Sequence, residues 1–226
     1  MIGLFVSVPI ASFRVPQARE YWETLPCPPP ATLYGMLLSA VGEPNRLHHE
    51  GAELALALLS APELSVVVRT LWRVKDLKLS PGMGENRRPD FQELLSNVRL
   101  AVWVRTGATE AARPSLSDRV AAALARPSGI NRFGGLSLGE STHLIDELRA
   151  LRRADHGEGR LLFGDVEGDL ALPVWPDHVG AAATRWEQYR LVPAMVGTEP
   201  DERAWTIVRR PALQSRSGRI SDAERR

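Results

Sequence analysis

Lysine is almost missing from this chain: Lys75 and Lys78 are the only two, and the other 26 of its 28 basic residues are arginine. Set against 27 acidic residues, this leaves a net charge of +1, which by itself points to no polyanionic partner. Arginine's planar fork suits bidentate phosphate contacts and stacking on bases, although a genome's base composition produces the same bias. Cysteine is scarcer still. Cys27 stands alone, which excludes an internal disulfide framework and any cysteine-based zinc site. No uninterrupted apolar run reaches the ~18 residues of a membrane helix. The N-terminus lacks the basic-then-apolar pattern of a secretory signal, so a cytoplasmic protein with no membrane partner is expected. Internal repeats are also missing.

What is present is an ordinary globular composition, 44% hydrophobic and 24% charged over 226 residues. That length supports one large domain or two small ones with a real core. The stretch that organises the rest is Leu25–Gly42, LPCPPPATLYGMLLSAVG. Pro28, Pro29 and Pro30 lack backbone donors and cannot lie inside a helix or a central strand. After them, Leu33, Met36, Leu37 and Ala40 fall at one-face spacing, which predicts a helix over Ala31–Val41 stopped by Gly42. Before them, Ile2–Ile10 reads as a strand.

Further along, Leu47–Ser60 reads as a partly helical segment and Glu63–Lys75 as a strand. Leu79–Asp90 is dense in glycine, proline and charge, and must be a loop or hairpin tip before strand character returns over Phe91–Arg105. The two strands make a protruding hairpin. From Arg69 to Arg105 there are eight basic and four acidic residues, a local excess suited to nucleic acid. Ser115–Ala125 reads as a second helix with Ser115 or Ser117 as its cap and Pro127 after its end. Two short strands around a turn are expected in Leu161–Trp175, further strands over Arg185–Val196 and Ala204–Arg209, and a disordered tail over 214–226. Trp72, Trp103, Trp175, Trp186 and Trp205 mostly fall inside apolar strand patterns, as core residues do.

Three stretches carry candidate chemistry. Gly135–Gly139, GLSLG, matches the G-x-S-x-G nucleophile elbow, but SGINRFG before it is a poor core strand and polar residues follow it. Read as a backbone cradle, Gly129, Gly134, Gly135 and Gly139 let a ligand approach the main chain. Ser137, Ser141 and Thr142 add hydroxyls and Arg132 a charge, with Phe133 a stacking candidate; a tight structural loop remains the plain alternative. The missing Gly-Lys-Ser/Thr ending disfavours a P-loop. His48-His49 lacks further ligands at metal spacing and is expected on an exposed helical face. His48, Tyr34 and Lys75 are the only set from which a metal-free ribonuclease could be assembled.

FRVPQA at Phe13–Ala18, TLPCPPPATLYGMLLSAVGE at Thr24–Glu43 and the glycine-rich Gly129–Asp146, with GGLSLGEST inside it, resemble the Cas-five family of CRISPR-associated RAMP proteins. The resemblance implies an α+β, ferredoxin-like (RRM-like) RAMP fold with an inserted β-hairpin thumb and a smaller β-rich C-terminal part. The expected division is an RNA-binding domain over 1–150 with its hairpin insertion at about 75–100, the β-rich part over 151–213, and the tail. The implied function is a non-catalytic subunit of a type I surveillance (Cascade) complex that binds and caps the 5′ handle of the crRNA. It would touch the backbone and large subunits, meet target DNA only indirectly, and use no cofactor or metal. Arg14, Arg69, Arg73, Lys75, Arg132, Phe133, Gly134, Gly135, Ser137, Gly139, Ser141 and Thr142 would hold the handle, with Lys78, Arg87 and Arg88 on the thumb. A metal-independent endoribonuclease acting on CRISPR repeat RNA is the alternative, and a serine hydrolase at GLSLG a remote one.

Overall fold

The N-terminal apolar run forms β1 (Ile2–Ala11), and the chain then passes through β2 (Tyr21–Trp22), α1 (Pro30–Ala40), β3 (Glu53–Leu58), β4 (Glu63–Trp72) and β5 (Arg87–Arg105). After α2 (Leu116–Ala125) come β6 (Glu147–Ala150), β7 (Gly157–Gly164), β8 (Leu170–Trp175), β9 (Arg185–Val196) and β10 (Thr206–Ile207). This computed structural model describes residues 1–15, 21–132, 134–177 and 183–211. Phe133 and the tail expected over 214–226 lie outside the described residues.

The architecture is mixed α and β: one mostly antiparallel sheet with few helices. Its order is β6-β1-β5-β3-β7-β9-β8, with β10 on β3, and β2 and β4 on β5. Only the short β2–β5 pairing is parallel among these pairs. β5 is the spine. Its inner half pairs with β1 on one edge and with β3 on the other, from Leu58↔Leu100 to Glu53↔Arg105. Its outer half continues past the core and pairs with β4 from Glu63↔Ser96 to Trp72↔Arg87. The changeover falls at Asn97, a non-glycine residue with φ 56. There Ser60 Oγ donates to the Asn97 carbonyl at 2.7 Å and accepts from the Arg99 amide at 3.0 Å, filling the gap between β3 and β4.

Leu47–Ser60 departs from its helical reading. Residues after Leu47 form a turn, with Gly51 at φ +97, and β3 follows. β3 is buried on both faces. Leu54, Leu56 and Leu58 enter the large core under the helices, while Ala55 and Ala57 enter a smaller one on the opposite face. A strand covered on both sides shows no polar alternation, so LALALL resembles a helical run. Trp103 fills the second core, where its indole donates to the Thr198 carbonyl at 2.8 Å. Trp175 is buried as well. Trp72 is not: it lies 72% exposed on the hairpin, and Trp186 is also exposed.

α1 begins at Pro30, where a missing N–H is harmless, and Gly42 at φ +66 follows its end. α2 carries a capping box, the Ser115 hydroxyl receiving the Asp118 amide at 3.3 Å and the Asp118 carboxylate receiving the Ser115 amide at 3.2 Å. β7 and β8 surround a turn as expected, yet they do not pair with each other, because β9 lies between them. The strand expected over Ala204–Arg209 shrinks to two residues.

Strand pairing resumes at Arg87, so Arg87, Arg88, Pro89 and Asp90 belong to β5 and the hairpin tip is the segment 73–86. Asn86 holds that tip. Its Oδ1 accepts from the Lys75 and Asp76 amides at 2.7 and 2.8 Å, and its Nδ2 donates to the Asp76 and Leu79 carbonyls at 2.7 and 2.8 Å. Each such bond contributes about 1 kcal/mol, and the groups left behind by a truncation have few other partners. Asn86→Ala should therefore strip hydrogen-exchange protection from the amides of 73–86 while the β1, β3 and β5 core keeps its own. Unchanged exchange at the tip would show that Asn86 does not organise it.

Candidate nucleic-acid interface

Three separate segments meet at the base of the hairpin. After β1 the chain turns, and Arg14 bridges to Thr24 while the Phe13 amide donates to the Thr24 hydroxyl at 2.8 Å. This places β2 against β5, with Trp22 opposite Gln92 and the Tyr21 and Phe91 rings stacked 6.3 Å apart. Trp22 is flanked by two guanidinium groups: Arg14 lies 4.2 Å and Arg69 5.3 Å from its ring centroid. Arg69 comes from β4 and donates to the side chain of the buried Gln92. Gln92 in turn donates to Glu140 at 2.6 Å, and Arg69 reaches the same carboxylate at 3.4 Å.

Glu140 belongs to the glycine-rich stretch, which is a small hairpin rather than an irregular loop. Ile145 donates to the Leu136 carbonyl, Ser137 bridges to Leu144, and the His143 amide closes a turn on the Glu140 carbonyl at 3.0 Å. Gly139 sits at φ +94, and a Cβ there would stand 2.5 Å from the Ser12 carbonyl, so only glycine lets this hairpin rest on the end of β1. Gly135 is packed against Leu144 and Gly134 faces open space. At the turn, Ser141 and Thr142 are exposed, and neither their amides nor their hydroxyls have a partner among the described residues. Exposed amides and hydroxyls beside two stacked arginines are the donors that phosphate oxygens require.

His143 fastens the hairpin to β1, its Nδ1 accepting the Ser12 amide at 3.1 Å. An acceptor nitrogen cannot carry a proton, so the bond needs this nitrogen bare. Burial lowers the His143 pKa below 6.5; Glu140 pulls it up and Arg69 pushes it down. The folded state therefore binds the proton less readily than the unfolded state. The bond's contribution is fully present above 6.5 and is lost as the pH falls below it. The protection factor of the Ser12 amide, taken against its intrinsic exchange rate at each pH, should fall between pH 6.5 and 5 more than those along β5; an equal change in both would show that His143 is not the fastening.

The remaining sequence-derived candidates are dispersed. Arg73 donates to the Glu85 carbonyl at 3.0 Å and Lys75 pairs with the Glu85 carboxylate at 2.7 Å, both at the hairpin tip with Lys78. Arg88 pairs with the buried Asp90 at 2.7 Å and Arg87 lies across from Trp72. Arg132 is exposed beside the end of α1 and α2, lining an apolar cleft with Ala40, Ala123 and Leu124. Phe133 is outside the described residues.

His48 and His49 are in the turn before β3, not on a helix, and His49 is fully buried. Arg119 donates to His49 Nε2 at 2.9 Å, so Nδ1 carries the proton and donates to Glu110 at 2.8 Å. Burial lowers the His49 pKa against the pull of Glu110. Glu43, His48 and His49 come close enough to share an ion, yet the Arg119 guanidinium already lies 2.5 Å from Glu43 and supplies the positive charge. Tyr34 donates its hydroxyl to the Arg46 carbonyl at 2.7 Å, under α1, whereas Lys75 is on the hairpin tip. Ser137 lies in a bridge followed by a turn, without the strand-to-helix bend of a nucleophile elbow.

Sequence reading missed Trp22, Gln92, Glu140, His143 and Asn86. Trp22 stands three residues before the proline-rich stretch that begins at Leu25, but its two-residue parallel pairing with β5 has no sequence signature.

A family model described as CRISPR-associated protein (Cas_Cas5) matches residues 1–184. A curated relative from Myxococcus xanthus (strain DK1622), "CRISPR-associated protein Cas5", is 46% identical over 200 residues, which is 88% of this chain and 94% of that one. Among solved structures, a chain titled "CRISPR RNA-guided surveillance complex" is similar with a TM-score of 0.60 at 15% identity, over 89% of this chain and 95% of that one. At that identity the likeness is one of fold.

Proposed function

The chain belongs to the Cas5 family of CRISPR-associated proteins, and from that premise we propose that it is a non-catalytic subunit of a type I CRISPR surveillance (Cascade) complex. In this role it binds and caps the 5′ handle of the crRNA. The observation that carries the reading is the junction of Arg14, Trp22 and Arg69 with the exposed turn of the glycine hairpin. Two guanidinium groups on one indole form a cationic, planar surface, and the turn beside it offers amides and hydroxyls. Single-stranded RNA is held by that combination, its phosphates on arginine and backbone donors and its bases splayed or stacked.

In this reading residues 1–150 are the ferredoxin-like, RNA-binding part, the β4–β5 hairpin is the thumb, and 151–213 is the β-rich addition. Arg73, Lys75, Lys78, Arg87 and Arg88 on the thumb would lie along the first guide segment against a backbone subunit, and another face would receive the large subunit, with target DNA met through them. Arg132 and the hairpin glycines would complete the handle site. The protein would act in the cytoplasm, with no membrane partner.

The decisive experiment mixes the purified chain with labelled CRISPR repeat RNA in EDTA and follows binding and cleavage together. Binding without cleavage is expected. Replacing Arg14 and Arg69 together by alanine should weaken binding at least tenfold and flatten the salt dependence by about 1.4 in log–log slope, two phosphate contacts on a single strand. Specific cutting would favour the processing ribonuclease, and unchanged affinity in the double variant would remove the junction from the RNA site. On the thumb, replacing Arg87 and Arg88 by glutamate should impair assembly or guide retention; normal assembly with full-length guide would make it ordinary solvated surface.

A further inference from the structure

Seven arginines among the described residues are partly buried, and six of them reach a carboxylate: Arg69, Arg88, Arg105, Arg119, Arg149 and Arg185. Arg46 is the exception. Its guanidinium lies 4.1 Å from the centroid of Trp175, and its Nη1 donates to the Pro176 carbonyl at 3.2 Å. Its Nε is sealed from water without an acceptor, and Nη2 has no partner among the described residues. A desolvated cation without an anion is destabilising, and this chain supplies one almost everywhere else.

Arg46 borders a groove of ≈ 460 Å³, within the range of small-ligand sites. The floor is the outer face of α1, where Thr32, Gly35 and Ser39 expose only small side chains. At Gly35 nothing lies within 4 Å of the place a Cβ would occupy, so a flat group can rest on the helix backbone itself. Ser137 and Gly139 of the glycine hairpin line the groove as well. The next residue, Glu140, is the one bound to Arg69 and Gln92. The groove and the arginine–tryptophan junction thus share one hairpin.

We propose that this groove is a nucleotide subsite: one nucleotide of the bound single-stranded RNA lays its base on the helix at Gly35 and places a phosphate on Arg46. The hydroxyls of Thr32, Ser39 and Ser137 are the polar groups available to the ribose and base edge. Continuity with the hairpin donors favours an RNA phosphate over an acidic side chain of a protein partner as the missing anion. The inference rests on the RNA-binding reading above and adds a position to it.

Two variants of the full chain test it with the same repeat RNA. Arg46→Gln removes the anion contact and should lower affinity about tenfold, with a salt slope smaller by about 0.7. Gly35→Leu fills the groove and leaves the Arg46 side chain itself unchanged. The open space at Gly35 and leucine's better helix propensity should keep its melting temperature at or above that of the wild type, while RNA affinity falls about tenfold. Wild-type affinity in either variant overturns the subsite. If that happens while the Arg14 and Arg69 double variant still binds weakly, RNA binding stands and only the groove is lost. Failure of the wild-type chain to bind repeat RNA overturns both.

Discussion

The rest of the structure depends on the double use of β5. A strand has two edges, and β5 shares one with β1 and then β2, the other with β3 and then β4. Its inner half is locked by buried Leu100, Val102 and Val104 on one face and Ala101 and Trp103 on the other. The outer half inherits that orientation because it is the same strand. Ten paired residues carry it about 30 Å beyond the core. The hairpin is thus aimed by the sheet, and the side chains at its base, Gln92 of β5 and Arg69 of β4, are delivered to Trp22 and Glu140.

A net charge of +1 by itself points to no polyanionic partner, and the structure shows where the charge goes. Most partly buried arginines are consumed internally. Arg105 holds Glu53 and Glu202, Arg149 holds Asp155 and Glu147, and Arg119 holds Glu43 beside the buried His49–Glu110 pair. Such pairs fasten strands and loops while cancelling charge. At the hairpin base and beside Trp175, guanidinium groups lie against aromatic rings, Arg14 and Arg69 on Trp22 and Arg46 on Trp175. Local placement rather than total charge makes the candidate surface.

The same bookkeeping separates residues that look catalytic from residues placed to meet a ligand. His49 has the carboxylate partner of a general base, but its other nitrogen faces Arg119 and its ring is buried. Tyr34 spends its hydroxyl on a backbone carbonyl. Ser137 has a downstream histidine in His143, whose Nδ1 serves the Ser12 amide. Each of these groups holds two segments of chain together, and each of those bonds helps position the glycine hairpin, α1 or the turn before β3.

Local chemistry determined much from the sequence alone. The proline clamp starts α1, Gly42 follows its end, Ser115 and Asp118 cap α2, and β9 runs from Arg185 to Val196; these are read from one short window because their causes act within one. The family was legible in the same windows. What only the tertiary structure decided has long-range causes. β3 looked helical because its two faces are covered by different cores, and Trp72 looked buried because a strand's alternation does not say whether anything packs on it. Trp22, Gln92 and Glu140 were invisible as a unit, since they are brought together from positions up to 118 residues apart by a two-residue parallel pairing and a hairpin turn. Side-chain periodicity encodes what one element prefers; which arginines are neutralised, and which are left for a ligand, is settled only when distant carboxylates have folded into reach.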